Sequence, residues 1–260
     1  MRSDNKKIID IFADAAIKAG IYARDFRRNH DLDVSLKADK SPVTLADLEA
    51  HRILCAYLQQ NLPDIPIISE EHIDHTIDVR QPFILIDPID GTKSYIRGTN
   101  DYSINIALIE DARPRAAVIF VPEDGELFYA SAKEGSYMYS LNDRQNIQTL
   151  SVRNSKENII LTVSSFSKHE INEQDYRLNY PISSVKLVGS AKKFTLIARG
   201  EADLYPRKGP TGEWDTAAGD LLVHEAGGIV QTLTGEKIRY GKKDFINKGF
   251  VALSQQDVLG

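Results

Sequence analysis

The segment Phe83-Ile84-Leu85-Ile86-Asp87-Pro88-Ile89-Asp90-Gly91-Thr92 runs an apolar, strand-like stretch directly into two aspartates, a proline and a glycine. Carboxylates at the end of a buried strand are costly unless something positive neutralises them. Magnesium suits that role: it is a hard cation that takes oxygen ligands and shares its shell with water and phosphate oxygens. Asp87 and Asp90 are three residues apart, so Pro88 and a turn could aim both at one point. Gly91 permits close backbone approach. The Gly91 and Thr92 amides could then hold a phosphate oxygen, above all if a helix begins there.

Two further segments repeat the design. Ile65-Pro66-Ile67-Ile68-Ser69-Glu70-Glu71 delivers adjacent acids at the end of an apolar run, and Glu213-Trp214-Asp215-Thr216-Ala217-Ala218-Gly219-Asp220 places an acid at the start of a small-residue helix. Taken singly, each acid also fits a turn or a helix N-cap. Three such sites in one chain are much harder to explain as caps.

The elements that must position these acids fall into two groups. Ile8, Ile9, Phe12, Ala13, Ala16, Ile17 and Ile21 recur at helical spacing, and a second stripe (Leu48, Ile53, Leu54, Tyr57, Leu58) follows a start signal at Ser41 to Thr44. Short runs rich in Ile, Val and Tyr come next: Phe83 to Ile86, Tyr102 to Ile109, Ala116 to Val121, Leu127 to Ala132 and Tyr137 to Tyr139. Turn residues punctuate them, so they read as an antiparallel meander. From about residue 155, strand-like runs (Ile159 to Val163, Val185 to Val188, Ala202 to Tyr205, Gly228 to Leu233, Phe250 to Leu253) alternate with helix-like stretches after Ser190 and after Trp214. That is α/β construction. The expected organisation is an N-terminal α+β half, residues 1–154, carrying most of the acids, and a C-terminal α/β half, residues 155–260, that completes a site in the cleft between them.

Composition narrows the ligand. The 260 residues are 42% hydrophobic and 27% charged, ordinary for a folded globular protein, and the net charge of −5 offers no general attraction to a nucleic-acid duplex or to anionic lipid. A phosphate-bearing ligand must therefore be small and held by local charge or metal. The single cysteine, Cys55, excludes an internal disulfide and a thiolate metal cluster, reads as a small apolar helix residue, and agrees with a reducing cytoplasm. No apolar run approaches the roughly 18 residues needed to span a bilayer, and Met1 to Lys7 leads into an amphipathic pattern, not a signal-peptide core. The expectation is a soluble cytoplasmic protein, with peripheral contact at the cytoplasmic face of the inner membrane compatible with the composition. Monomer and homodimer both remain open. The six histidines show no metal-ligand spacing and read as structural or exposed.

Ser41-Pro42-Val43-Thr44-Leu45-Ala46-Asp47, Glu70-Glu71, Asp87 to Thr92 and Trp214 to Gly219 resemble, in order and spacing, the motifs of the inositol monophosphatase superfamily of lithium-sensitive, magnesium-dependent phosphatases. The resemblance implies the layered αβαβα sandwich of the sugar phosphatases. It implies that Glu70, Asp87, Asp90, Asp215 and the Ile89 carbonyl ligate two or three magnesium ions, and that Asp47 and Thr92 orient and deprotonate the attacking water. Val188 to Phe194 and Leu204 to Asp215 look most like the branch of bacterial 3′(2′),5′-bisphosphate nucleotidases, which act in sulfur metabolism on 3′-phosphoadenosine 5′-phosphate, releasing AMP and phosphate. On that likeness, substrate contacts fall to Glu70, Ile89, Asp90, Gly91, Thr92, Gly189, Ser190, Lys193, Tyr205, Arg207 and Asp215.

Lys192 departs from the branch pattern where an apolar residue is expected, and Lys208 where an aromatic one is. Lys192, Lys193, Arg207 and Lys208 concentrate positive charge that a second phosphate would need, although Lys192 and Lys208 fit a solvated surface equally well. Tyr205 could stack on a base or close the core. Two other readings compete with the nucleotidase: an inositol or sugar monophosphatase using the same metals, and a non-catalytic sensor that binds metal and nucleotide. The sensor would have no use for a water-activating pair.

Overall fold

The computed structural model describes residues 2–30, 32, 34–36, 42–165 and 180–255. Helix α1 (Arg2–Asn29) extends beyond its apolar stripe at both ends. Ser41 of the expected start signal lies outside the described residues; Thr44 closes a short antiparallel hairpin of β1 (Val34–Leu36) and β2 (Pro42–Thr44), and α2 (Leu45–Asn61) follows directly.

The Ile- and Val-rich runs form a seven-stranded sheet in the order β3 (Ile67–Ser69), β4 (Phe83–Asp90), β5 (Ser103–Glu110), β6 (Arg113–Val121), β7 (Glu126–Ser131), β8 (Gly135–Ser140) and β9 (Asp143–Thr149), with the short helix α3 (Thr92–Ile96) between β4 and β5. From β4 onward each strand pairs antiparallel with the next, which is the expected meander, while β3 lies parallel to β4. Strand β9 has no counterpart in the sequence reading. Its seven residues are all exposed, so no apolar alternation marks it.

The remaining chain supplies β10 (Ile159–Val163), β11 (Ile182–Leu187), α4 (Lys192–Ala198), β12 (Leu204–Arg207), β13 (Thr211–Gly212), α5 (Ala217–Glu225), β14 (Ile229–Thr232), β15 (Ile246–Asn247) and β16 (Phe250–Leu253). Five of these strands make a second, mixed sheet in the order β11-β10-β12-β16-β14.

Side-chain alternation explains the layering. Along β4 and β5, Ile84, Ile86, Ile104 and Ile106 share a core with α1 and α2, whereas Phe83, Leu85, Ala107 and Ile109 point into a core with α4, α5 and the inner face of the second sheet. Both faces are covered, so these strands read as continuous apolar runs. The described residues thus build four of the layers of the expected αβαβα sandwich: α1 and α2, the seven-stranded sheet, α4 and α5, and the five-stranded sheet. The acids at the end of β4 sit beside the layer of α4 and α5, where chain from both sheets converges.

Candidate active site

Strand β4 does not stop at Ile86. It runs through Asp87 to Asp90, with its pairing to β5 shifting between Asp87, opposite Asn105, and Asp90, opposite Ser103. The irregularity turns Asp90 towards the second half of the chain. Its Oδ2 accepts from the backbone N–H of Ala191 there, and from Asn105 Nδ2 at 3.1 Å and Ser103 Oγ at 3.5 Å on the neighbouring β5. Gly91 follows with φ +88°, a left-handed conformation that favours glycine, and Thr92 begins α3.

The parallel neighbour β3 brings the second acid. The Glu70 N–H bonds to the Ile86 carbonyl at 3.2 Å, laying Glu70 alongside Asp87. Asp215 arrives from the loop before α5, where its Oδ2 accepts from Thr211 Oγ1 at 2.7 Å and from the Gly212 N–H at 2.8 Å. Glu213 pins that loop: its buried carboxylate takes the Gly241 N–H at 2.6 Å and Lys242 Nζ at 2.5 Å. The outcome is a cluster in which carboxylate oxygens of Glu70, Asp87 and Asp215 lie within 4.8 Å of one another. Asp90 stands outside this group of three but lines the same cleft.

Asp87 is 1% exposed, and neither of its oxygens finds a hydrogen-bond donor among the described residues. Burial, then the charges of Glu70, Asp90 and Asp215, push its carboxyl well above the usual carboxylate range. The same two causes, burial and the neighbouring acids Asp90 and Glu70, raise Asp215 to about 7. Burial also raises Asp90, opposed mainly by the Lys193 ammonium. A buried, donorless carboxylate flanked by two more is a set of hard oxygen donors that a divalent cation satisfies and that a protein without one holds at a cost.

Asp47 is buried at the start of α2, where its two oxygens do different work. Its Oδ2 accepts from the Thr44 N–H at 2.8 Å and the Thr44 hydroxyl at 2.6 Å, fastening the helix start, while Oδ1 lies 3.1 Å from Thr92 Oγ1. Burial raises its carboxyl, opposed by the Thr44 and Thr92 hydrogen bonds. Thr92 lines the cleft and Asp47 does not, so Asp47 reaches it only through that hydroxyl. The Ile89 carbonyl accepts from the same Thr92 Oγ1 at 3.2 Å, and Ile89, unlike the other expected ligands, is not among the residues that line the cleft.

The cleft holds about 330 Å³ and takes Glu70, Asp87, Asp90, Gly91 and Thr92 from the first sheet's segment and Gly189, Ser190, Lys193, Tyr205, Arg207 and Asp215 from the remainder. Lys193 is buried. Its Nζ donates to the Ser190 carbonyl at 2.6 Å and lies 4.9 Å from the centre of the Tyr205 ring, and burial lowers its ammonium to about 8 against the pull of Asp90. The Nε of Arg207 is buried without a partner among the described residues. Tyr205 packs edge-on against Phe194 and Phe250, each at 5.1 Å, so it closes the core while one part of it faces the cleft.

Of the four basic residues grouped by sequence, only Lys193 and Arg207 line the cleft; Lys192 and Lys208 do not. Pro42, Lys93, Ser164, Thr211 and Phe250 also line it, none of them expected as a substrate contact. Lys93 directly follows Thr92, and Pro42 and Thr211 lie in segments that carry the family resemblance, so these could have been found by their place; Ser164 and Phe250 carry no local signal of a site. His51 donates to or accepts from Ser69 Oγ at 2.9 Å, next to Glu70, and Cys55 is half-buried with its thiol raised to about 11 by burial, consistent with a structural residue. No helix among the described residues is long and apolar enough to cross a membrane.

Residues 4–258 match the inositol monophosphatase family. The 3′(2′),5′-bisphosphate nucleotidase CysQ of Escherichia coli (strain K12) is 36% identical over 223 residues, covering 84% of this chain and 88% of that protein. The protein of the same name from Buchnera aphidicola is 34% identical over 253 residues, covering 95% and 94%. Among solved structures, CysQ from Bacteroides thetaiotaomicron, described as a bacterial member of the inositol monophosphatase family, superposes with a TM-score of 0.80 at 31% identity over 94% of this chain and 96% of that one. Matched from near its first residue to near its last, this chain belongs to the inositol monophosphatase family.

Proposed function

We propose that this protein is a magnesium-dependent phosphomonoesterase that converts 3′-phosphoadenosine 5′-phosphate to AMP and phosphate. The observation that carries the reading is the donorless, buried carboxylate of Asp87 set between Glu70 and Asp215, in the same cleft as the Asp47-linked hydroxyl of Thr92. Glu70, Asp87, Asp90, Asp215 and the Ile89 carbonyl hold two or three magnesium ions. When bound, the metal neutralises the phosphate oxygens and lowers the cost of charge moving onto the leaving group.

The protein's own groups do the rest. The Thr92 hydroxyl donates its proton towards Asp47 Oδ1 and so presents an oxygen lone pair to the cleft, where it accepts a proton from water as that water attacks phosphorus. Asp47, kept basic by burial and aligned by two bonds from Thr44, takes up the proton that Thr92 gives as it accepts the one from water. The Gly91 and Thr92 amides hold the reacting phosphate. Lys193 and Arg207 hold the second, non-reacting phosphate, and Gly189, Ser190 and Tyr205 border the nucleoside. What supports the bisphosphate over an inositol or sugar phosphate is that basic pair, in which the Arg207 Nε finds no hydrogen-bond partner among the described residues, together with the names of the relatives.

The division into halves 1–154 and 155–260 belongs to the same proposal, with the cleft supplied by both. So does inhibition by lithium, a small cation competing for the same oxygens. The deciding experiment is phosphate release from 3′-phosphoadenosine 5′-phosphate and from inositol 1-phosphate at equal enzyme, with magnesium and with chelator. Preference for the bisphosphate, lost with chelator, is expected. Preference for inositol 1-phosphate moves the protein to the monophosphatase branch, and no turnover of either ester leaves a metal- and nucleotide-binding module.

A further inference from the structure

Lys192, the residue that departs from an expected apolar position, is not absorbed by the cleft: it lies outside the lining. From the start of α4 its side chain reaches across to the seven-stranded sheet, placing Nζ 2.7 Å from Asp124 Oδ2 in the turn between β6 and β7, and 3.5 Å from Asp101 Oδ1 just ahead of β5. The three side chains are only 18, 28 and 24% exposed, which sets this group apart from ordinary surface pairs.

Asp101 is placed where a small movement matters. A Cβ at Gly91 would lie 2.9 Å from the Asp101 carbonyl oxygen, and a Cβ at Gly189 2.6 Å from it. The Asp101 backbone is therefore wedged between two glycines, one on each wall of the cleft. The same segment is held from its other side by Arg27, whose guanidinium donates to the Thr99 carbonyl at 2.7 Å, and the N–H groups of Gly98 and Thr99 bond back to α3.

We propose that Lys192 is a positioning residue for phosphate-ester binding: by gripping Asp101 it sets the separation of the Gly91 and Gly189 walls. An apolar residue at position 192 has no charge with which to hold Asp101. The wall spacing in this chain therefore depends on a charged contact outside the site. The kinetic side of this inference rests on the phosphatase reading; the structural side does not.

Two readouts test it. Lys192→Met is expected to raise KM for 3′-phosphoadenosine 5′-phosphate by about two- to fivefold at unchanged kcat, the size of a partly exposed ion pair. Lys192→Arg should restore KM, Asp101→Asn should reproduce the rise, and the double variant should be no worse than the worse single one. Independently of turnover, amide exchange at Gly98 and Thr99 in the metal-free protein should quicken by a similar factor in Lys192→Met. Unchanged exchange at those amides overturns the inference, as does a fall in Tm with both KM and exchange unchanged, which would make Lys192 merely structural. If the wild type hydrolyses no phosphate ester, that failure belongs to the proposed function, and the exchange result alone decides the positioning role.

Discussion

Removing the charge of Asp215 should stabilise the metal-free protein while abolishing its function. Asp215→Asn keeps the shape of the side chain, and an amide oxygen can still accept from Thr211 Oγ1 and the Gly212 N–H, so the turn before α5 is retained. What disappears is a charge that burial and the acids Asp90 and Glu70 disfavour. The folded protein holds this carboxyl at about 7, against an ordinary value of 3.8. It therefore binds the proton more tightly than the unfolded chain does. The ionised group costs nothing below about pH 4, costs more as pH rises through about 7, and costs a constant amount above. A shift of about three units corresponds to roughly 4 kcal/mol at most, and partial exposure to water in the cleft reduces this to about 2 kcal/mol. Urea unfolding of both proteins in chelator, at about pH 4 and about pH 8, measures it. Asp215→Asn should match the wild type at the lower pH and exceed it by about 2 kcal/mol at the higher. Magnesium should then stabilise the wild type at pH 8 and the variant far less, with turnover of the variant lost. Equal stability at both values of pH, or magnesium-supported turnover by the variant, would refute the account of Asp215 as a strained metal ligand.

Asp90→Asn should likewise lose most turnover with the fold intact, checked by circular dichroism and phosphate release at limiting magnesium. Thr92→Ala and Asp47→Asn should each lower kcat by about 10²- to 10⁴-fold with little change in KM, and Thr92→Ser should recover much of the loss. Because burial raises the Asp47 carboxyl, wild-type kcat should fall as pH drops through that raised value; a kcat–pH profile flat on its acid side would contradict the assignment of Asp47 as proton acceptor. Calcium should bind without supporting turnover, since its longer bonds and larger ligand number do not hold water and phosphate in line, and equal activity with calcium would show that geometry is not decisive. Neutralising Lys193 or Arg207 should cost about tenfold to a hundredfold in kcat/KM on the bisphosphate and little on a substrate lacking the 5′-phosphate. An equal loss on both would assign these side chains to the reacting phosphate or to structure.

Much of this site is legible without coordinates because its chemistry is written into short segments. Glu70 and the Asp87 to Thr92 segment set charge against burial at the end of apolar runs, and although each acid alone also fits a turn or a cap, their recurrence together with Asp215 at a helix start points to a shared counter-charge. The helices and the meander are equally visible, since period-3.6 stripes and runs buried on both faces leave a local trace. Strand β9 leaves none, its residues being exposed throughout. Two features came only from packing. Asp47 fastens the start of α2 and holds the Thr92 hydroxyl at the same time, because its two oxygens face different neighbours. Of four clustered basic residues, only Lys193 and Arg207 turned into the cleft, while Lys192 reached from α4 to within 2.7 Å of Asp124 in the turn between β6 and β7. Sequence determines which groups need a counter-charge. Where each one finds it depends on contacts between segments distant along the chain, such as Asp90 with Ala191 or Lys192 with Asp101, and those exist only once the two sheets have closed on each other.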